Sequence, residues 1–319
     1  MADRFIQFPG GRVRVAALLF LALIGLVLPV SALNLSATQY TGNTPAGGTA
    51  NYAIIAGIPW DTEPVDLLVD VVGISQKPDL SYVAVEPIKD TYAFSGRKYV
   101  SVDKESIHLE PGIKQQFTLS FNLPANTGDN SRYAMVVVHT IAAKTGNATD
   151  ITIPVLLTPI GSSPSMSGSI TSFDAGNAIL GQKAAFATSY RNTGTTHQNN
   201  LVNTITVSGP DGGLLVTESG EPLSTPLLPE KSYEFRVVPD TSRLMAGNYT
   251  VLSKITLGNG QVMDKKTTIL TINGNTKTPV PAAPTANTPA VPTTAKSSLP
   301  AVLGLAALAG ALVIISSRR

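Results

Sequence analysis

The side chains that could carry chemistry are few and widely separated. The chain contains three histidines, His108, His139 and His197, and it has no cysteine. The missing cysteine excludes thiol catalysis, thiolate zinc sites and disulfide scaffolds. No GxSxG elbow, HExxH pair, GxxxxGK[ST] loop, helix-opening GxGxxG or EF-hand loop occurs in the sequence. We therefore predict a protein with no catalytic residue, no metal ligand and no cofactor.

Two acidic pairs are the remaining candidates for acid–base chemistry. Asp61 with Glu63, and Glu218 with Glu221, have the short spacing that a carboxylate pair needs. Both pairs lie in turn-like stretches, so solvated loop charges are the favoured interpretation. An enzyme with an unconventional site, using His108 or His139, stays open as the least favoured alternative.

Two residues are candidates for contact with a partner. Trp60 is the only tryptophan and stands between Pro59 and Pro64, and tryptophan is enriched at binding hot spots. The favoured interpretation, however, is that Trp60 plugs the end of a β-sandwich. His197 lies in the polar stretch 195–200, a predicted loop in which a contact role stays open. The partner class is an envelope polysaccharide or a surface protein.

Three sequences match the N-glycosylation pattern. They begin at Asn34, Asn147 and Asn248, and each is followed two residues later by serine or threonine. In an exported protein these asparagines are candidate acceptors, which would make the molecule a glycoprotein.

The N-terminal residues have the order of a secretory signal peptide. Arg4, Arg12 and Arg14 precede an apolar run over 15–28, and the small residues Ser31 and Ala32 follow. We expect residues 1–32 to be a signal peptide cleaved after Ala32. An uncleaved anchor is the alternative, although the run is shorter than the ~20 residues that span a bilayer.

The C-terminal residues have the composition of a stalk and a membrane anchor. The stretch 275–298 is rich in proline and threonine, which favours an extended, semi-rigid stalk. Residues 299–317 are predicted to form a single transmembrane helix. Arg318 and Arg319 follow as a two-residue tail, and such arginines stay cytoplasmic. The sequence therefore predicts a single-pass membrane protein with its body on the extracytoplasmic face.

The charge of the predicted ectodomain differs from that of the whole chain. Residues 33–276 contain twenty acidic and sixteen basic residues, a formal net charge of −4, whereas the whole chain carries +2. A weakly acidic body has no electrostatic footprint for nucleic acid, so we exclude nucleic acid as a partner.

The sequence of the predicted ectodomain indicates β-strands throughout its length. Short alternating runs such as 65–72, 117–121 and 201–207 are separated by Gly, Pro and Asn turns, and no stretch has a 3.6-residue apolar stripe. This pattern predicts an all-β fold with two tandem Ig-like β-sandwiches over 33–160 and 169–274, joined by a linker at 161–168.

The strand pattern also supports resemblances to known families. The segments 101–112, 117–121 and 132–138 resemble the pilus-chaperone-like immunoglobulin domain, a related form of which accompanies WxL-domain surface proteins. The second half, through 180–183, 191–194, 209–212 and 246–251, looks like the adhesion-type Ig-like modules of archaeal and bacterial surface proteins. The C-terminal end is similar to a tripartite sorting tail, without an LPxTG or PGF box.

These resemblances imply a non-catalytic surface protein with a structural or adhesive role. A ligand- or polysaccharide-binding accessory module for an envelope machine is the alternative. Pilus chaperones are soluble shuttles, whereas this chain carries a predicted anchor of its own.

Overall fold

The computed structural model describes residues 33–141 and 150–274. The predicted signal peptide, stalk, transmembrane helix and arginine tail (1–32, 275–298, 299–317 and 318–319) lie outside these residues. In the described part of the chain, no helix is long and apolar enough to cross a membrane.

The first half of the described chain folds into strands connected by turns and two short 3-10 helices, Pro87–Lys89 and Arg97–Tyr99. The strands are β1 (Asn34–Leu35), β2 (Tyr40–Pro45), β3 (Thr49–Gly57), β4 (Val65–Gln76), β5 (Tyr82–Val85), β6 (Val100–Val102), β7 (Ser106–Leu109), β8 (Lys114–Asn122), β9 (Arg132–Ile141) and β10 (Asp150–Ile160).

These strands form two sheets that face each other. The smaller sheet has the order β1-β3-β8-β6. The larger has the order β2-β10-β9-β4-β5, with β7 also paired to β4. Strand β2 runs parallel to β10, and the other pairs are antiparallel. The alternation of β3 and β8 places Ile54, Phe117 and Phe121 in the core, because successive side chains of a strand point to opposite faces.

Strand β9 is buried on both faces. Ala134, Val136 and Val138 pack into the core between the sheets. On the opposite face, Tyr133 and Met135 belong to a second apolar cluster. Burial on both sides explains why β9 reads as an unbroken apolar run instead of an alternating one.

The second half of the described chain forms another pair of sheets. Its strands are β11 (Gly168–Asp174), β12 (Asn177–Ile179), β13 (Phe186–Asn192), β14 (Val202–Ser208), β15 (Leu214–Ser219), β16 (Ser232–Val237), β17 (Gly247–Thr256) and β18 (Val262–Asn273). One sheet has the order β11-β13-β16 and the other β12-β18-β17-β14-β15.

A closed polar cluster lies in the interior of the second sandwich. Thr188, Asn203 and Ser253 are fully buried. The Asn203 amide donates to Thr188 Oγ1 at 3.0 Å, and the Ser253 hydroxyl donates to Asn203 Oδ1 at 2.8 Å. Because the three side chains satisfy one another, the polar cluster fits in the core at little desolvation cost.

The observed architecture is all-β, with curled two-sheet sandwiches of the Ig-like type. Both sandwiches belong to one compact unit. The predicted all-β class is therefore confirmed. The strands of the two sandwiches come from residues 34–160 and 168–273.

Candidate functional site

An exposed aromatic side chain dominates one end of the first sandwich. Trp60 is 79% exposed and lines a groove of about 370 Å³. We call this the tip groove and define it by its lining residues: Asn34, Leu35, Ser36, Ile55, Gly57, Ile58, Pro59, Trp60, Gly112 and Lys114. Trp60 is thus accessible to solvent and does not plug the end of the sandwich.

The indole ring of Trp60 lies against a glycine. A Cβ atom at Gly112 would overlap the ring, and the φ of Gly112 is +71°, a conformation that glycine adopts without strain. The Gly112 amide donates to Ile58 O at 3.0 Å. On the other side, the Thr62 hydroxyl donates to Pro59 O at 2.7 Å. The loop around Trp60 is therefore held in place on both sides of the tryptophan.

The outer surface of the smaller sheet continues from the tip groove. Its outward positions on β3 and β8 are directly paired, with Ile55 opposite Gln116 and Gly57 opposite Lys114. Further along, the Thr49 hydroxyl donates to Asn122 Oδ1 at 2.6 Å.

We call this surface the amide–hydroxyl face. Its outward residues are Thr49, Asn51, Ala53, Ile55, Ser101, Lys114, Gln116, Thr118, Ser120 and Asn122. Lys114 is the only charged residue in this set.

A different region, the sandwich interface, joins the two sandwiches. Here the Gln76 side chain spans both halves of the molecule. Its amide donates to Pro226 O at 2.9 Å, and its Oε1 accepts from the Leu228 amide at 3.0 Å. Two phenols add to this contact, since Tyr82 donates to Pro226 O and Tyr92 donates to Pro229 O.

Apolar side chains cross the sandwich interface in both directions. Leu228, from the second sandwich, is fully buried in the cluster that contains Tyr133 and Met135. Leu80, from the first sandwich, belongs to a cluster with Tyr190 and Leu201 of the second. Each sandwich therefore completes a core of the other.

The connecting chain is also held by hydrogen bonds. The Thr195 amide donates to Ser165 O at 2.9 Å, and the Ser131 amide donates to Thr195 O at 3.1 Å. The Ser131 and Thr196 hydroxyls lie 2.7 Å apart. Ser165, within the predicted linker, is thus hydrogen-bonded to Thr195 of the second sandwich.

The structure places His197 inside the sandwich interface, which corrects its expected position in a solvent-facing loop. His197 is 6% exposed, and its Nδ1 lies 3.3 Å from the Tyr133 hydroxyl. Burial lowers the pKa of His197 to about 4, because the charged imidazolium is poorly solvated there. In this position His197 contacts the other sandwich, and it is not available to an outside partner.

The other two histidines lie on the outer surface of the larger sheet, and each is bracketed by carboxylates. The two ring nitrogens of His108 lie 2.7 Å from Asp66 and 3.0 Å from Glu110. Hydrogen bonding to Asp66, then to Glu110, raises the pKa of His108.

His139 is bracketed in the same way, with Asp150 at 2.8 Å and Asp70 at 3.4 Å. In both brackets the carboxylates sit at opposite edges of the imidazole, so they do not converge on one point. Within the described ranges, no group of three or more histidine and carboxylate side chains could hold a metal ion.

The predicted acidic pairs are surface residues. Asp61, Glu63, Glu218 and Glu221 are all exposed. Of the three glycosylation candidates, Asn34 is exposed on the rim of the tip groove. Asn248 is exposed in β17, where its Oδ1 accepts from the Thr271 hydroxyl at 2.9 Å. Asn147 lies outside the described residues, as do Arg318 and Arg319.

The registers place the tip groove and the end of β18 each at the end of its own sandwich that lies away from the sandwich interface. Gly57 pairs with Lys114 at the end of the first sandwich away from Gln76. In the second sandwich, Val202 pairs with Thr256 beside the interface loops, whereas Ile272 pairs with Gly247 at the far end. Trp60 and Asn273 therefore belong to different sandwiches, and each lies at the end away from the sandwich interface.

Comparison with known proteins gives matches at the level of structure alone. No family model matches the chain, and no curated protein matches it. A chaperone–tip adhesin complex of CFA/I fimbriae biogenesis aligns with a TM-score of 0.42 at 9% identity, over 75% of this chain and 99% of that one.

Two further solved structures give similar alignments. The Salmonella enterica SafA pilin–SafB chaperone complex aligns with a TM-score of 0.36 at 11% identity, over 76% of this chain and 98% of that one. The Pseudomonas aeruginosa CupB2 chaperone aligns with a TM-score of 0.34 at 10% identity, over 75% and 100%. Similarity at this level gives no basis for transferring an activity or a partner.

Proposed function

We propose that this chain is a non-catalytic, extracytoplasmic surface protein in which the two sandwiches act together as one rigid structural or adhesive module. Residues 299–317 anchor the module in the cell membrane, and residues 275–298 form the stalk. The observation that carries the proposal is the sandwich interface, in which Leu80 and Leu228 each complete a core of the other sandwich. A spacer that must hold a surface away from its anchor needs such a fixed joint.

The absence of cysteine makes topology directly testable. The full chain carrying Ile88→Cys has a single thiol, at a position that is 90% exposed in the unsubstituted protein. On intact cells a membrane-impermeant maleimide should label this variant. The matched variant Arg319→Cys should be labelled only after permeabilisation, and the cysteine-free protein should not be labelled at all. Labelling of Ile88→Cys only in permeabilised cells would contradict the proposal.

An extracytoplasmic ligand-binding module is a second candidate function. It is favoured by one specific observation, the 79% exposure of Trp60 on a loop that is held in place on both sides. Tryptophan is one of the residues that most often dominate the free energy of binding at contact surfaces.

A further inference from the structure

We infer that the tip groove and the amide–hydroxyl face together form one binding platform for an uncharged polysaccharide chain of hexose units. This inference rests on the second function proposed above and gives it a ligand class and a surface. Trp60 forms the apolar end of the platform, and the outward side chains of β3 and β8 form its polar length.

The aromatic end of the platform is suited to the face of a sugar ring. The C–H face of a hexose is apolar, and the electron-rich face of an indole attracts such weakly positive hydrogens. Trp60 presents its exposed face from a ring that lies against Gly112. Because the ring is already held, little side-chain freedom is lost when a sugar stacks on it.

The polar length of the platform matches the hydroxyl groups of a glycan. Amide and hydroxyl side chains both donate and accept hydrogen bonds, as sugar hydroxyls do. Asn51 and Ser120 already pair across the strands, with 2.9 Å between Ser120 Oγ and Asn51 Oδ1. This pairing fixes the orientation of both groups before a ligand arrives.

The few charged side chains on the amide–hydroxyl face favour an uncharged glycan over a charged one. Among the outward residues of β3, β6 and β8, Lys114 alone carries a charge, and it sits at the groove end of the face. Asp103 and Lys104 lie beside β8 at the edge of the face, where Asp103 Oδ1 accepts from the Thr118 amide and Lys104 Nζ donates to Gln116 O. The face therefore offers no row of cations to a polyanion and no row of carboxylates to a polycation. An uncharged chain can use the amide and hydroxyl groups, which are the most numerous groups on the face.

The length of the platform favours a chain over a single sugar. β3 contains nine residues, and at about 3.3 Å per residue it extends for roughly 30 Å. The outward row of β8 runs beside it in register from Lys114 to Asn122. A ligand of several units is needed to contact both the tryptophan and the far end of this row.

The single tryptophan provides a direct probe of binding. The purified full-length chain is titrated with soluble hexa-saccharides of β-1,4-glucose, α-1,4-glucose, β-1,4-mannose and β-1,4-N-acetylglucosamine while Trp60 emission is recorded. We expect a saturable emission change with at least one of them, and a weaker or absent change with the corresponding disaccharide. A flat response to all four oligosaccharides overturns the inference.

Substitutions separate the aromatic end from the polar length. Trp60→Phe keeps an aromatic face and should retain most of the affinity, measured by calorimetry. Trp60→Ala should lower the affinity by at least ~10-fold, about 1.4 kcal/mol. Ala53→Glu places a charge in the middle of the face and should lower the affinity similarly. The matched control Ile269→Glu alters an exposed strand position of the second sandwich and should bind normally.

Other possible ligands of this surface would give different experimental results. Emission that shifts with neutral phosphatidylcholine vesicles but not with oligosaccharides would mean a lipid contact and would overturn the inference. Equal affinities for Ala53→Glu and the unsubstituted chain would also overturn it, since the face would then lie outside the site. Failure of glycan binding leaves the maleimide labelling of Ile88→Cys unaffected, so the two proposals can fail separately.

Discussion

The sandwich interface and the tip groove differ in whether their aromatic side chains contact the rest of the protein or the solvent. In the interface, Gln76, Tyr82 and Tyr92 each donate to a backbone carbonyl of the other sandwich. In the tip groove, Trp60 remains 79% exposed. The interface side chains hold the two sandwiches together, whereas the largest side chain of the groove is exposed to solvent. The first sandwich therefore has a fixed joint at one end and an open groove with an exposed tryptophan at the other.

The largest expected effect is the loss of a side chain that crosses the interface. Leu228→Ala should lower the free energy of unfolding by about 2–5 kcal/mol, because it opens a cavity in a packed cluster. Leu214→Ala is the matched control, since Leu214 is 66% exposed, and it should change stability by less than about 0.5 kcal/mol. Chemical denaturation followed by circular dichroism measures both. Equal effects of the two variants would show that Leu228 is not buried against the first sandwich.

Removing the bridging amide should have the next largest effect. Gln76→Ala leaves the buried Leu228 amide without its acceptor, whereas the Pro226 carbonyl keeps the Tyr82 hydroxyl as a donor. One unsatisfied buried group costs about 1–3 kcal/mol. Gln39→Ala removes an exposed glutamine whose side chain bonds only locally, to Thr41, and serves as the control in the same denaturation experiment. A Gln76→Ala protein as stable as the control would contradict the account of the interface.

Acid should weaken the interface through His197. Its pKa is lowered to about 4 by burial, so the unfolded chain takes up a proton at higher pH than the folded protein does. Stability is therefore constant above an unfolded pKa of ~6.5 and falls as the pH drops toward 4. At pH 5 the loss from this histidine should be about 2 kcal/mol.

The control for this pH dependence is a variant without the titrating group. His197→Gln should remove the decline between pH 6.5 and 5. His108 acts in the opposite direction, because its raised pKa favours the protonated folded state and its contribution is lost as the pH rises through that pKa. A decline of the same size in His197→Gln would place the acid sensitivity elsewhere.

The smallest effect on stability should come from the tip groove. Trp60→Ala should change the free energy of unfolding by less than about 0.5 kcal/mol, as for other exposed positions. A loss of several kcal/mol, measured by the same denaturation, would show that Trp60 belongs to the core after all. The contrast between a buried interface and an exposed groove would then be wrong.

The all-β class could be predicted because it depends on local signals. Alternating residues in 117–121 and the Gly and Asn turns act within a few positions, and the structure places Phe117 and Phe121 in the core as that pattern implies. Strand β9 was also recognisable as a strand, although burial on both faces replaced its alternation with an apolar run.

The sites depend on contacts that local patterns do not encode. His197 lies in a polar stretch, but Tyr133, from the other sandwich, covers it. Asp66 and His108 meet only because β4 and β7 pair in a particular register. Likewise, the exposure of Trp60 could not be predicted, because its ring lies against the backbone of Gly112, which is distant in the sequence.

The central claim, that the two sandwiches move as one body, has a direct measurement. Nitroxide labels on the double variant Ile88→Cys/Met245→Cys of the full chain lie at positions that are 90% and 72% exposed, one in each sandwich. Double electron–electron resonance should give a single narrow distance distribution between the two labels. A broad or multimodal distribution would mean that the sandwiches reorient freely, and the account of a fixed joint would be wrong.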